Sequence, residues 1–396
     1  MSESRFEGNP KRLILTVDLE QGPHQFDCPD CSTSGCSVHD RRERTWRHLN
    51  FWQYETELTA KVPRIKCSEC GVRQVAVPWA REGSGFTLMF EAMAMRLISE
   101  MPVSAVAELM GEHDTRLWRI INHYVSIAHR QSDWSQVTHI AVDETSRKKG
   151  HSYVTNFIDT KTGKLLFLTV GKDANCVRAF AEALREHGGD PANIREVAMD
   201  MSPAFQKGVR EYLPNAKPVF DRFHVMMMAG EALDAVRKEV IRQEGPLEKG
   251  ALWALRGNAG RLSVERQSLR ERLCRQYGKL GRAMGLREHL QDLWKYASRE
   301  LAGEHLDAWM SWARRCRMSP FKRLAKTLRK YREGILDYYL NWTTSAAIES
   351  VNGRLQLARK RARGYRNPDN FRSIAYWIAG DLEPTTQLPS PLPAHF

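Results

Sequence analysis

The sequence predicts an α/β protein: a core of mixed strands and helices, interrupted by a long all-helical stretch and preceded by a small metal-binding module and a helical hairpin. Three observations predict this. Two Cys-x-x-Cys pairs, Cys28/Cys31 and Cys67/Cys70, sit near the start of the chain. From residue 137 short apolar runs alternate with amphipathic stretches. After Val225 the pattern becomes helical for a long distance, with no proline between Pro246 and Pro320. The 396 residues suffice for two or three domains with real cores. Lys and Arg outnumber Asp and Glu by 60 to 47, a net charge of +13, and such a surplus favours a polyanionic partner. Charge alone is equally compatible with a basic protein that meets no nucleic acid. No apolar run approaches the length of a membrane span. The first residues carry several charges and no apolar signal core, so secretion is not expected. Eight cysteines then point to metal rather than to a disulfide frame.

Residues 1–95 are read as a zinc-ribbon-like module. Thiolates two residues apart on a tight turn can reach one Zn²⁺, and Cys28, Cys31, Cys67 and Cys70 would complete a closed tetrahedral structural site. Cys36 and His39 are rival ligands or bystanders. Between the pairs, "HDRRERTWRHLNFWQYE" interleaves basic residues with Trp46 and Trp52. That mixture suits a nucleic-acid face and equally suits two rings filling a small core. Residues 96–132 follow a helix, turn, helix pattern. Val103, Val106, Ala107 and Met110 recur at helical spacing, Gly111 breaks the run, Asp114 or Thr115 can cap a second helix, and Leu117, Ile120, Ile121 and Tyr124 form its apolar stripe. In a helix-turn-helix the second helix enters the major groove, with Arg116 and Arg119 facing outward. A plain helical hairpin has the same pattern.

The core opens at "THIAVDETS". "SYVTNFI" and "KLLFLTV" flank the turn sequence "DTKTG" and form a hairpin. A helix ("CVRAFAEALREHG"), a strand ending at Asp200, a helix beginning near Pro203 and a further strand ("AKPVFDRFHV") complete the run. Three sequential strands, helix, strand, helix, strand is the order of the ribonuclease H-like fold, in which the first and fourth strands are neighbours. Asp143 and Asp200 would then meet. An aspartate in an apolar strand is costly unless paired or metal-bound, and two divalent ions about 4 Å apart can serve phosphoryl transfer. The basic segment Arg147, Lys148 and Lys149 follows at once, where a phosphate backbone would pass. Taken singly, Asp143 is also readable as an ordinary strand-end residue. A third carboxylate is offered by Glu349, with Ser345 a possible cap and Asn352 on the same face. Downstream lie Arg354, Arg359, Lys360, Arg361, Arg363 and Arg366 with no acid before Asp369. A solvated basic helix with an incidental glutamate fits those residues as well.

Together "CPDC", "VHDRRERTWRHLNFWQYE", "VPRIKC", "VPWAREGSGFTLMFE", "VDETSRKKGHSYVT", "AMDMSPAF", "DRFHV" and "ESVNGRLQLARKRARGYRNPDNFR" resemble the DDE transposases of the ISL-three insertion-sequence family. The resemblance spans most of the chain. It implies a zinc-binding N-terminal segment, helix-turn-helix DNA recognition and a ribonuclease H-like core with an all-helical insertion between the second Asp and the Glu. Carried over by position, the triad is Asp143, Asp200 and Glu349, holding two Mg²⁺ (or Mn²⁺). Asp221 and His224 match the Asp-x-x-His signature of insertion-bearing transposases. The expected division is 1–95 zinc module, 96–132 helix-turn-helix, 133–230 first part of the core, 231–342 insertion, 343–383 C-terminal helix of the core with its basic tract, and 384–396 tail. The expected partners are the inverted-repeat ends and target DNA, with at least a dimer in the synaptic complex and no membrane. The expected place is the bacterial cytoplasm, at the nucleoid. A catalytically silent regulator descended from such an enzyme, or a nuclease without strand transfer, would share the same modules.

Overall fold

Six hydrogen-bonded strands build the N-terminal sheet among the described residues. The structure, a computed structural model, describes residues 3–9, 11–18, 25–148, 152–257, 259–341, 346–386 and 388–390. It divides into two units: Met1–Arg130 with Ala358–Trp377 and Leu382–Phe396, and Gln131–Leu357 with Ile378–Asp381. The first unit contains β1 (Glu3–Gly8), β2 (Lys11–Val17), β3 (Gln25–Phe26), β4 (Cys36–Phe51), β5 (Tyr54–Cys67) and β6 (Gly71–Gln74). Their order is β1-β2-β5-β4-β3, with β6 also pairing β5. The basic segment expected to be a nucleic-acid face or core filler is thus the long strand β4. The two tryptophans differ in place and exposure. Trp46 is buried at 2 % exposure, edge-on to Trp79 at 5.7 Å. Trp52 is 81 % exposed in the β4–β5 turn.

Three helices follow: α1 (Leu88–Glu100), α2 (Val103–Met110) and α3 (Asp114–Arg130). Thr87 caps α1 by accepting from Phe90 N. Gly111 ends α2 at φ +67, and its N–H bonds back to Ala107 and Glu108 carbonyls. Arg47, only 7 % exposed, joins β4 to the end of α2 by donating to the Met110 carbonyl at 3.3 Å, with Glu112 at 3.8 Å. Glu91 is fully buried and accepts from Arg81 Nε (3.0 Å), Ser84 Oγ (2.7 Å) and Tyr124 OH. Removing one side of a buried ionic cluster strands the other. Glu91→Ala should therefore destabilise this unit by about 3 kcal/mol, read as a lowered first transition in chemical denaturation; a loss well under about 1 kcal/mol would show the cluster to be dispensable. Helix α3 also receives the C-terminal segment. Ser373 Oγ donates to Asn122 at 2.7 Å, and His129 stacks on Tyr376 at 3.9 Å.

The second unit holds a five-stranded sheet: β7 (His139–Lys148), β8 (Ser152–Asp159), β9 (Leu165–Val170), β10 (Glu196–Met199) and β11 (Lys217–Phe220). The order is β11-β10-β7-β8-β9; β7, β8 and β9 are antiparallel, while β10 is parallel to both β7 and β11. Helices α4 (Ala174–Glu186) and α5 (Pro203–Tyr212) pack on it. They approach so closely that a Cβ at Gly208 would stand 2.8 Å from Val177 Cγ2. The strand expected through Val225 stops at Phe220. Asp221 caps the next helix by accepting from Phe223 N at 2.9 Å, so His224 lies in a first helical turn and not on a strand. The short polar Asx geometry outweighs the apolar run "FHV" at that point.

That helix, α6 (Arg222–Glu244), leads into α7 (Ala251–Arg256), α8 (Val264–Gln276), α9 (Gly278–Asp292), α10 (Arg299–Arg315), α11 (Ser319–Lys330), α12 (Arg332–Leu336) and α13 (Tyr338–Asn341). The proline-free stretch is helical as expected. It shares one apolar core with the sheet, from Val197 and Val219 through Val236 to Leu286 and Trp309. A Cβ at Gly334 of α12 would meet the Phe220 ring at 2.5 Å, so helix and strand β11 touch backbone to ring. The chain ends with α14 (Ala346–Arg361) and α15 (Pro368–Ala379). Among the described residues no helix is long and apolar enough to cross a membrane.

Candidate functional site

Two constellations stand out: a thiol cluster in the first unit, and acids on the interior strands of the sheet with a basic cleft in the second. Cys28 and Cys31 lie on the turn after β3, Cys67 ends β5, and Cys70 precedes the left-handed Gly71 (φ +76). Their four Sγ atoms all lie within 4.8 Å of one another, and Cys31 Sγ is 3.5 Å from Cys67 Sγ. Zinc–sulfur bonds of about 2.3 Å in a tetrahedron need sulfurs about 3.8 Å apart, so the cluster fits one Zn²⁺. Backbone N–H groups of Cys70 and Glu69 draw the Cys67 thiol down to about 6. Cys36 and His39 lie outside the set. Cys36 Sγ donates to the Thr33 carbonyl at 3.4 Å, and His39 faces Asp40 at 3.6 Å.

The proposed DNA-reading residues differ in what they already hold. Arg116 is engaged by Glu112 at 2.7 Å and lies over the Phe86 ring at 4.2 Å. Arg119 is exposed one turn on. In the basic tract, Arg354 donates to the Ile378 carbonyl at 3.0 Å, and Arg361 to the Glu100 carbonyl. Lys360, Arg361 and Arg363 are exposed, and Arg359 is half-buried. Lys149 and Ser345 lie outside the described residues, as do the side chains of Arg147 and Lys148.

Strand β7 carries Asp143 and Glu144, and β10 leads into Asp200. The parallel register pairs Ala198 with Ala141; continued by two residues, it sets Asp200 opposite Asp143. Asp200 Oδ1 accepts from Ser202 N at 2.9 Å, which fixes it at the entrance of α5. Burial pushes the Asp143 carboxyl above its usual range, opposed by the Glu144 N–H and the Asn352 amide, and Asp200 adds to the rise. Glu144 is raised too, by burial and then by Asp200. Asp221 Oδ2 stands 3.6 Å from His224 Nδ1, an ion-pair separation beyond hydrogen-bond length. Asp221 raises the His224 imidazole pKa, and Asp143 and Asp200 reinforce it. These four side chains thus share one electrostatic neighbourhood.

Helix α14 is tied to β7 by two polar rungs. Asn352 Nδ2 donates to Asp143 Oδ2 at 2.6 Å, and Gln356 Nε2 to Thr145 Oγ1 at 2.9 Å. Asn352 Oδ1 in turn accepts from Asn156 Nδ2 at 2.7 Å, from the residue facing Asp143 across β7–β8. Glu349 precedes Asn352 by three residues, on the same face. It is exposed and lines a cleft of about 930 Å³ formed with α6 and the insertion helices. The three carboxylates are not gathered as the thiols are: among the described residues only the cysteines form a set within 4.8 Å. A pair of ions about 4 Å apart does not require the outer two acids to meet, and hard carboxylate oxygens suit Mg²⁺ or Mn²⁺. Sequence reasoning placed Asn352 beside Glu349 but missed its hydrogen bond to Asp143, and missed Asn156 altogether. The signal for Asn156 was present: an asparagine in the middle of the apolar strand "SYVTNFI".

Residues 140–375 match a protein-family profile described as "Transposase", residues 75–125 one described as "Helix-turn-helix domain of transposase family ISL3", and residues 24–70 one described as "zinc-finger of transposase IS204/IS1001/IS1096/IS1165". The chain is 30% identical over 377 residues to the "Transposase for insertion sequence element IS1557" of Mycobacterium tuberculosis, covering 86% of this chain and 83% of that protein. It is 27% identical over 367 residues to the "Transposase for insertion sequence element IS1001" of Bordetella parapertussis, covering 90% and 89%. Among solved structures, a chain from a simian T-cell lymphotropic virus intasome in complex with PP2A regulatory subunit B56 gamma aligns at 15% identity over 45% of this chain and 73% of that chain. Its TM-score of 0.18 carries no inference.

Proposed function

The chain belongs to the ISL3 family of insertion-sequence transposases, and from that premise we propose that it binds the inverted-repeat ends of its element, cleaves the DNA there and joins the freed 3′ end to a target. The sheet order and the side-by-side, parallel β7 and β10 support a ribonuclease H-like core. The observation that carries the reading is the bond from Asn352 to Asp143. It brings the helix of Glu349 onto the strand of Asp143 across the whole helical insertion, the arrangement that a site shared by Asp143, Asp200 and Glu349 needs.

Those three residues would hold two Mg²⁺ or Mn²⁺ ions, which when bound supply charge neutralisation at the phosphate and activation of the attacking oxygen. The chain's own residues do the rest. Asn352, held by Asn156, orients Asp143. Asp221 caps α6 and so fixes His224 near the acids. Exposed cations on α14, with Arg147, Lys148 and Lys149 as further candidates, would take the phosphate backbone. The zinc module and the helix-turn-helix select the ends, and pairing two ends calls for at least two copies.

Arg119 is the candidate base reader, since Arg116 is already engaged. Arg119→Ala should weaken end binding by about 1–3 kcal/mol and relax specificity at one position, whereas a uniform loss with a flatter salt dependence would make it a phosphate contact. The function itself is tested by incubating the protein with Mg²⁺ and DNA bearing the terminal repeats. Joined products are expected; nicks alone would indicate a nuclease, and a mobility shift alone a regulator.

A further inference from the structure

Strand β1 is an open edge of the N-terminal sheet. Among the described residues it pairs only with β2, which leaves its outer side without a neighbouring strand. Edges of this kind are usually blunted by proline, a bulge or charge. The β1 sequence "ESRFEG" has no proline, and its register with β2 is unbroken from Glu3 to Gly8. Its charges, Glu3, Arg5 and Glu7, alternate in sign. They share one face of the strand, where Arg5 and Glu7 pair at 2.9 Å. Phe6 occupies the other face. Its ring stands edge-on to Tyr54 at 5.0 Å and 6.3 Å from Phe51, and Trp52 stacks on Phe51 at 5.1 Å. Phe6 is 56 % exposed and Phe51 45 %. An aromatic cluster left in solvent beside an open strand edge marks a contact surface.

We propose that β1 pairs antiparallel with β1 of a second copy, about a two-fold axis through Phe6, so that two N-terminal sheets become one. Such an axis gives an isologous interface, in which each residue and its counterpart exchange partners. Centred on Phe6, it sets Phe6 against the partner's Phe6, Arg5 against the partner's Glu7, and Ser4 against the partner's Gly8. Opposite charges and aromatic pairs directly across a ladder stabilise it, and like charges there destabilise it. The neighbouring registers fail on that rule. Centring on Arg5 opposes arginine to arginine and Glu3 to Glu7; centring on Glu7 opposes two glutamates; centring on Ser4 runs Phe6 past the start of the strand. The charge pattern of β1 therefore selects a second copy of the same strand, in one register. Main-chain bonds join the edges, as in strand addition generally. The two aromatic clusters close over the axis on one face, and the Arg5–Glu7 pairs close the other. This goes beyond the transposase reading, which calls for two copies without saying where they meet, and it concerns the protein alone.

The test is sedimentation velocity of the full chain, zinc-loaded, tagged at its C-terminus and free of DNA. A dimer that dissociates on dilution is expected. Arg5→Glu sets like charges opposite in both symmetric pairs and should raise the dissociation constant about tenfold or more. Glu7→Arg should act alike. The double variant Arg5→Glu/Glu7→Arg restores opposite charges and should return the constant to near the wild-type value, a recovery that loss of folding would not give. Both side chains reach solvent, so the single variants should keep their zinc. Phe6→Ala should weaken the dimer as well. A chain that stays monomeric, a dimer that Arg5→Glu and Phe6→Ala leave unchanged, or a double variant as weak as the single ones would overturn the inference. A monomer whose DNA affinity falls in Phe6→Ala would also overturn it and make the aromatic cluster a DNA contact. None of these outcomes bears on cleavage or joining, so the transposase reading stands or falls separately.

Discussion

Glu349→Gln should leave end binding intact and lower cleavage and joining in Mg²⁺ by about a thousandfold or more. The substitution keeps size and shape but removes one negative charge from a site that, on the proposed reading, would offset two divalent ions. Glu349 is exposed on the cleft and far in sequence from the other acids, so its loss should not disturb folding. Mn²⁺, which tolerates poorer ligation, should restore a small fraction. Glu144→Gln is the control. Glu144 shares β7 with Asp143 but alternates to the other face, although it feels Asp200. A small effect is expected there. Rate measurements with paired-end substrates separate the two; near-normal joining by Glu349→Gln, or loss confined to Glu144→Gln, would mean that the wrong acid has been assigned.

Cys67→Ser should abolish specific end binding. Cys67 is buried, 3 % exposed at the end of β5, with backbone N–H groups favouring its thiolate. The small apolar cluster around the thiols contains only Ile65 besides cysteines among its buried members, so the metal supplies much of what holds the turns together. Zinc-dependent modules commonly unfold without metal. Wild-type protein purified without chelator should carry about one zinc per chain, and the variant well under one. A full zinc complement in the variant would show that Cys36 or another group completes the site.

The parts legible in the sequence were those encoded by local spacing. Paired cysteines, a glycine at the end of α2 and a strand running into Asp143 each state their structure within a few residues. The adjacency of β7 and β10 was expected from the order of the elements. Less legible were features that depend on distant partners. Strand β4 reads as a charged, aromatic segment because one of its faces meets solvent along much of its length, and only pairing with β5 makes it a strand. The end of β11 was missed because an apolar run continued past it, while one aspartate capped the next helix. Asn156 and Asn352 are polar residues whose reason lies across the site, in each other and in Asp143.

The central claim is that Asp143, Asp200 and Glu349 share one metal site, and it can be measured on the protein alone. Fe²⁺ can take the place of Mg²⁺ at oxygen ligands, and with ascorbate and peroxide it cuts the backbone that surrounds it. The account predicts three cuts, near residues 143, 200 and 349, all suppressed together by excess Mg²⁺ and all weakened by Asp143→Asn. Cuts near 143 and 200 with none near 349, or a cut at 349 that Asp143→Asn leaves untouched, would contradict it.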